Sequence, residues 1–302
     1  MFSDGSKAVL TLIAVVATLG PMDYHLLTRP DVPRRPDAKF NLVRVAGAAQ
    51  APRKVPALRV CADPNNLPFS NRQGEGFENR LAELMARELG RRLEYTWWPQ
   101  RRGFFRQTLK SGRCDLVMGM PADFELAEAT RPYYRSGYVF VTRADRHLEL
   151  KGFDDPKLRT LSIGLHAIGD DYANVPPAQA LAARGMVDNI RGYSIYGDYS
   201  RPDPPRSLID AVANGEVDVA IAWGPLGGYF AAREPVPLTV TPVVDDDPHD
   251  PAMQFSISAG VRHGDDALKS AVERVLTDQR PQIDRVLKQY HVPLLARPEG
   301  HT

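Results

Sequence analysis

The stretch LRVCADPNNLPFSNRQGEGFENRLAELMARELG, Leu58 to Gly90, runs through three patterns in succession. LRVCA is a short apolar run of strand character, and DPNNLPFSN is dense in turn-forming residues. In GFENRLAELMARELG, the positions Phe77, Leu81, Leu84, Met85 and Leu89 fall on one face at helical spacing, and Gly90 stops the helix. Strand, polar loop and amphipathic helix make the first part of a βαβ unit. Cys61 stands just ahead of the loop, which leaves four readings open: a redox centre, a metal ligand, a ligand-binding lip or a well-capped turn.

The alternation continues. RLEYTWWP reads as a strand, RGFFRQTLKSG as a helix, CDLVMGM as a third strand and YVFVTR as a longer one. This βαβαβ order predicts a parallel sheet with right-handed crossovers. After a linker near 144–158 the pattern restarts with LSIGLH, PPAQALAARG, IRGYSIYG, RSLIDAVANGE, VDVAIAWGP, LGGYFAAR and LTVTPVV. The two blocks share a period but not their residues. FSISAGVR (Phe255–Arg262) is a late strand, and two helices follow it, broken at Pro281 and capped at the start by Asp265 or Asp266. The expected fold class is α/β with two lobes, each a mostly parallel sheet flanked by helices, joined by two hinge crossovers. The expected boundaries are 57–145 plus 248–296 for the first lobe and 150–245 for the second.

A chain of 302 residues can bury two such cores. A net charge of +1 provides no global basic field for nucleic acid. Residues 1–50 read as a leader. Lys7 precedes AVLTLIAVVATLG (Ala8–Gly20), an apolar run of secretory length and too short for a comfortable membrane span. An A-x-A site at Ala46–Ala48 lies far downstream, so a cleaved signal and a tethering anchor both stand; either way the chain is expected in the periplasm. Cys61 and Cys114 are the only cysteines, too few for a four-cysteine zinc site, and an even pair in an exported chain reads first as a disulfide. No G-x-S-x-G, H-E-x-x-H or phosphate-binding glycine loop occurs. The expectation is no enzyme, no catalytic residue, no metal and no cofactor.

Ligands of open α/β sheets sit off the carboxyl ends of the strands, and in a two-lobed plan both sets of ends face one cleft. Asn65, Asn66 and Phe69 follow strand one; Trp98, Arg101 and Arg102 follow strand two; Met120 ends strand three, with Tyr133 beyond it. The second lobe offers His166, Asp170, Tyr196 and Trp223. Aromatic bodies with a few amides and charges suit a small-molecule pocket. Plainer readings stand beside these: the asparagines as turn formers, the arginines as solvated, one of Trp97 and Trp98 as core, and His166 as structural.

RVCADPNNLPFSN with GFENRLAELMARELG, YTWWPQRRGFFRQTLKSGRCDLVMGMP, TRPYYRSGYVFVTR, IRGYSIYGDYSRPDPP and VDVAIAWGPLGGYF together resemble one group over about Leu58 to Leu294. These are the solute-binding-like J-type accessory proteins of methanol oxidation, which accompany pyrroloquinoline-quinone alcohol dehydrogenases. The resemblance implies a type II periplasmic binding fold and a quinoprotein methanol or alcohol dehydrogenase as partner, without implying retained transport. In that fold's 2-1-3 strand order the strands of Cys61 and Cys114 are neighbours, within reach of a disulfide. Amino-acid binders of the wider superfamily carry an arginine after strand three that grips the ligand carboxylate. Here that position is Asp123, so a free α-amino acid is not the expected ligand. A receptor delivering some other small polar solute to a transporter remains the alternative function.

Overall fold

The computed structural model describes residues 55–167, 175–194, 199–244 and 247–296; the apolar run Ala8–Gly20 lies outside them. The chain begins with β1 (Ala57–Ala62), makes a small hairpin of β2 (Asn65–Asn66) and β3 (Ser70–Asn71), and enters α1 (Phe77–Glu88). Then come β4 (Arg92–Trp97), α2 (Phe104–Gln107), β5 (Leu116–Pro121), β6 (Glu128–Ala129) and the long β7 (Tyr134–Arg143). The second lobe adds β8 (Ile163–Ala167), α3 (Pro176–Ala183), β9 (Ile190–Ser194), α4 (Ser207–Ala213), β10 (Val219–Trp223), α5 (Gly224–Ala231) and β11 (Leu238–Pro242). The chain then returns with β12 (Gln254–Val261), α6 (Asp266–Asp278) and α7 (Arg280–Gln289).

In the first lobe β1 lies parallel between β4 and β5, and β12 closes antiparallel against β5. In the second, β8 lies parallel between β9 and β10. Strand β7 serves both lobes. Its residues Tyr134–Gly137 pair with β12, and from Tyr138 onward it pairs with β10, joined from Val139 by β11. The change of partner thus falls at Gly137–Tyr138, ahead of the boundary expected at 145. A ten-residue strand, about 33 Å long, reaches across the hinge, and YVFVTR is the part of it that belongs to the second lobe.

The first lobe's core lies between its sheet and α1, α6 and α7, around Leu58, Val60, Phe77, Leu81, Val272 and Leu287. The second lobe's sheet is covered on both faces. Val139, Val141 and Ala220 turn toward Leu208 and Phe230, while Phe140, Val219 and Ile221 turn toward Leu158 and Leu181. Period-two alternation with both faces apolar is the signature of a sheet under two helical layers.

Local details follow residue chemistry. Asp265, rather than Asp266, caps α6 by accepting from Leu268 N at 3.3 Å, and Pro281 sits in the first turn of α7. The helix expected over RGFFRQTLKSG is only the single turn of α2. Gly103 enters it with φ 89°, and Thr108 leaves it at φ −118°, its hydroxyl donating to Phe104 O at 2.6 Å. No helix among the described residues is long and apolar enough to cross a membrane.

Candidate functional site: the lip between the lobes

The lip is the turn from Asp63 to Asn71. Asp63 is 1% exposed and organises it. One carboxylate oxygen accepts from Asn65 N at 2.8 Å, forming an Asx-turn, and the other accepts from Gln100 N at 2.6 Å. Ser70 Oγ accepts from Asp63 N at 3.1 Å and donates to Asp63 O at 2.9 Å, pinning both ends of the loop. Asn79 Oδ1 accepts from Asn71 N and Gly76 N, at 3.0 and 3.1 Å, which ties the lip to the start of α1. Gly76 is obligatory, since a Cβ there would stand 2.0 Å from Phe69 O.

The lip also grips the second lobe. Asn65 Nδ2 donates to Arg201 O at 2.7 Å, and Asn65 Oδ1 accepts from Asp203 N at 3.3 Å. The Tyr199 hydroxyl donates to Asp63 Oδ2 at 3.1 Å. Beside these polar links Leu67, 6% exposed, is packed within the second lobe's cluster of Val139, Leu208, Leu226 and Phe230. Phe69 touches the clusters of both lobes and lies edge-on to Phe77, with ring centroids 5.4 Å apart. Trp223 likewise touches both clusters and meets Tyr138 and Phe255 edge-on at 5.6 and 5.8 Å. Tyr290 stacks on Tyr229 and donates its hydroxyl to Glu75 O. The chain's own side chains therefore fill this part of the space between the lobes.

Beneath the lip stands Glu78, near Asp63. Burial pushes its carboxyl up to about 8, and the Asp63 charge adds to the shift. The same burial raises Asp63, against the hydrogen bonds from Gln100, Asn65 and Tyr199. Gly119 makes room for Glu78, since a Cβ there would lie 2.1 Å from its Oε1.

Of the expected cleft residues, Asn65, Asn66, Phe69 and Trp223 meet at this junction. Asn66 is 6% exposed; its Nδ2 donates to Gln100 Oε1 at 3.3 Å, and its Oδ1 is buried without a partner among the described residues. Four others sit elsewhere. Met120 is buried in the small cluster around the two cysteines, where its sulfur packs against Gly260. Tyr133 is 1% exposed, with its hydroxyl donating to Met118 O at 2.7 Å, which makes it a core residue. His166 is 4% exposed with Nε2 3.3 Å from Pro205 O, and burial lowers its pKa to about 4, so it is neutral and structural. Trp98 packs on the cysteine cluster under the Arg113 guanidinium, 5.5 Å from its ring. Arg101 and Arg102 are exposed beside the lip. Asp170 and Tyr196 lie outside the described residues.

Cys61 and Cys114 form a disulfide with α-carbons 5.5 Å apart, which removes the redox-centre and metal-ligand readings of the opening stretch. Sequence reasoning passed over Leu67, Glu78, Arg201 and Asp203. The one available signal was LPF, an apolar pair within an otherwise polar turn.

The fold and the two-lobed junction define a binding-protein body. The chain belongs to family 3 of the bacterial extracellular solute-binding proteins, whose pattern it matches over residues 58–292. It is 34% identical over 252 residues to Protein MoxJ of Methylorubrum extorquens, covering 79% of this chain and 81% of that one. It is 30% identical over 272 residues to Protein MoxJ of Paracoccus denitrificans, covering 85% and 98%. Among solved structures, the periplasmic binding protein XoxJ from Methylobacterium extorquens AM1 superimposes with TM-score 0.66 at 37% identity, covering 80% of this chain and all of that one. MxaJ from Methlophaga aminisulfidivorans MPT gives TM-score 0.70 at 28% identity, covering 79% and 100%.

Proposed function

We propose that this protein is a periplasmic accessory protein of a PQQ-dependent methanol or alcohol dehydrogenase, acting by binding that enzyme and supporting its maturation or activity. Its relatives of the MoxJ, XoxJ and MxaJ kind support the reading. One observation carries it: Asn65 and Leu67 of the first lobe are seated against the second, with Phe69 packed on the cores of both, so the chain's own side chains occupy the lip between the lobes. A body closed on its own side chains is a rigid docking unit, with association costs reduced by preorganisation. In this reading the protein performs no catalysis itself. Residues 1–50 direct export or tether it, the lobes meet at the hinge in β7, and any small molecule held would contact Asn66, Phe69 and Trp223.

The test is affinity capture of the exported chain from periplasm, with identification of what elutes. Recovery of a quinoprotein dehydrogenase subunit supports the accessory role. Recovery of a small polar metabolite without the enzyme supports a transport receptor instead.

A further inference from the structure

The segment RRGFFRQTLKSGR, Arg101–Arg113, carries five cations and no carboxylate. Several arginines elsewhere are ion-paired: Arg59 with Asp115, Arg184 with Asp154 and Asp250, and Arg206 with Asp210 and Glu234. Arg101, Arg102, Arg106 and Lys110 are all exposed, and none has an ion-pair partner among the described residues. The fifth, Arg113, lies over Trp98. Asp123 and Glu125 on the neighbouring turn leave the surface positive.

This charge surrounds an apolar centre. Phe105 and Phe124 are half-buried with ring centroids 4.6 Å apart, and Leu126 is 44% exposed. Leu126 forms the shared wall of two hollows of about 290 and 230 Å³, one edged by Arg101 and Arg106, the other by Lys110 and His263. An apolar centre within a charged rim is the anatomy of a protein-binding surface, and arginine is over-represented among residues that carry binding energy.

The patch is also held rigid. A helix of one turn has no stability of its own. Phe104 and Leu109 anchor the segment in a cluster with the Cys61–Cys114 disulfide, and Gln100 ties its start to Asp63. The disulfide is thus a foundation for this surface.

Resting on the accessory reading above, we propose that the surface of Arg101, Arg102, Arg106 and Lys110 around Leu126 is the docking site for an acidic face of the partner enzyme. An apolar side chain of that face seats beside Leu126. A bilayer of anionic lipid shares the charge complementarity, but insertion needs protruding apolar residues, and here they line hollows.

The experiment measures association of the full exported chain with the purified quinoprotein dehydrogenase at several salt concentrations. It compares wild type, Arg101→Glu/Arg102→Glu/Arg106→Glu, and the control Lys151→Glu/Arg159→Glu on the second lobe. Expected are a fall of at least tenfold in the association rate for the triple variant, with its salt dependence flattened, and no change for the control or in the triple variant's Tm. Wild-type binding matched by the triple variant overturns this docking site and leaves the accessory role standing. No binding by wild type overturns the accessory role, and this inference with it. Equal enzyme binding with binding to phosphatidylglycerol vesicles lost only in the variant assigns the patch to lipid and contradicts the proposal.

Discussion

Asn65 is bonded at one end of its amide to Arg201 O, at 2.7 Å across the gap between the lobes, and its other end accepts from Asp203 N in the same loop. One side chain therefore reports whether the lobes are together. Asn65→Ala removes two neutral hydrogen bonds, each worth about 1 kcal/mol. A shift of about 2 kcal/mol toward open forms follows. Small-angle scattering is expected to show a larger radius of gyration for the variant, and an unchanged profile would mean that the clasp does not hold the closed form.

The pH dependence of stability follows from two buried groups of opposite sign. Glu78 has its pKa raised to about 8, so between its unfolded value and 8 the native state holds a proton the unfolded chain has released. Stability contributed this way is lost as pH rises. His166 is lowered to about 4, so its contribution is lost as pH falls from 6.5 toward 4. Below pH 6.5 the two slopes oppose each other, and above it the Glu78 slope is no longer offset by His166. Wild type is expected to lose about 2 kcal/mol between pH 6.5 and 8, and Glu78→Gln to lose much less over that interval. Parallel curves from denaturant titration across this range would show that Glu78 is ionised in the folded protein.

The disulfide joins residues 53 apart in sequence. In the chain-entropy view a closed loop of that size restricts the unfolded state by about 4 kcal/mol. The Cys61→Ser/Cys114→Ser variant is expected to melt well below wild type. Hydrogen exchange is expected to quicken first at Phe104–Leu109, the segment with least structure of its own. Uniform acceleration across both lobes would place the staple's effect elsewhere.

Asp123 is exposed at the turn after β5, and the sequence expectation is that it stands in place of the carboxylate-binding arginine of amino-acid receptors. Millimolar glycine, glutamate or histidine is expected to leave Tm unchanged, because only a ligand of the native state raises it. A rise of several degrees with any of them would restore the receptor reading.

The fold was legible because its signals are local. The face of Phe77, Leu81 and Met85 marks α1, and the apolar alternation through β7 and β10 marks a sheet between two layers. The hinge was harder, since nothing local in YRSGYVFVTR shows that Gly137 and Tyr138 pair with strands of different lobes. The site divides the same way. Asn65 and Phe69 were visible as an odd polar-aromatic turn, whereas Arg201 contributes through its backbone carbonyl, which side-chain identity cannot announce. Tyr133 and His166 stand near strand ends, as cleft residues do, but burial and backbone bonds claim both. Cys61 and its loop proved to be separate devices: a staple supporting the basic segment and a clasp between the lobes.

The most direct measurement of the accessory role is native mass spectrometry of the exported protein mixed with purified quinoprotein dehydrogenase. The expected result is a complex of defined stoichiometry, with the free protein carrying no bound metabolite. Two unassociated species, with a small solute retained by this chain, would contradict it.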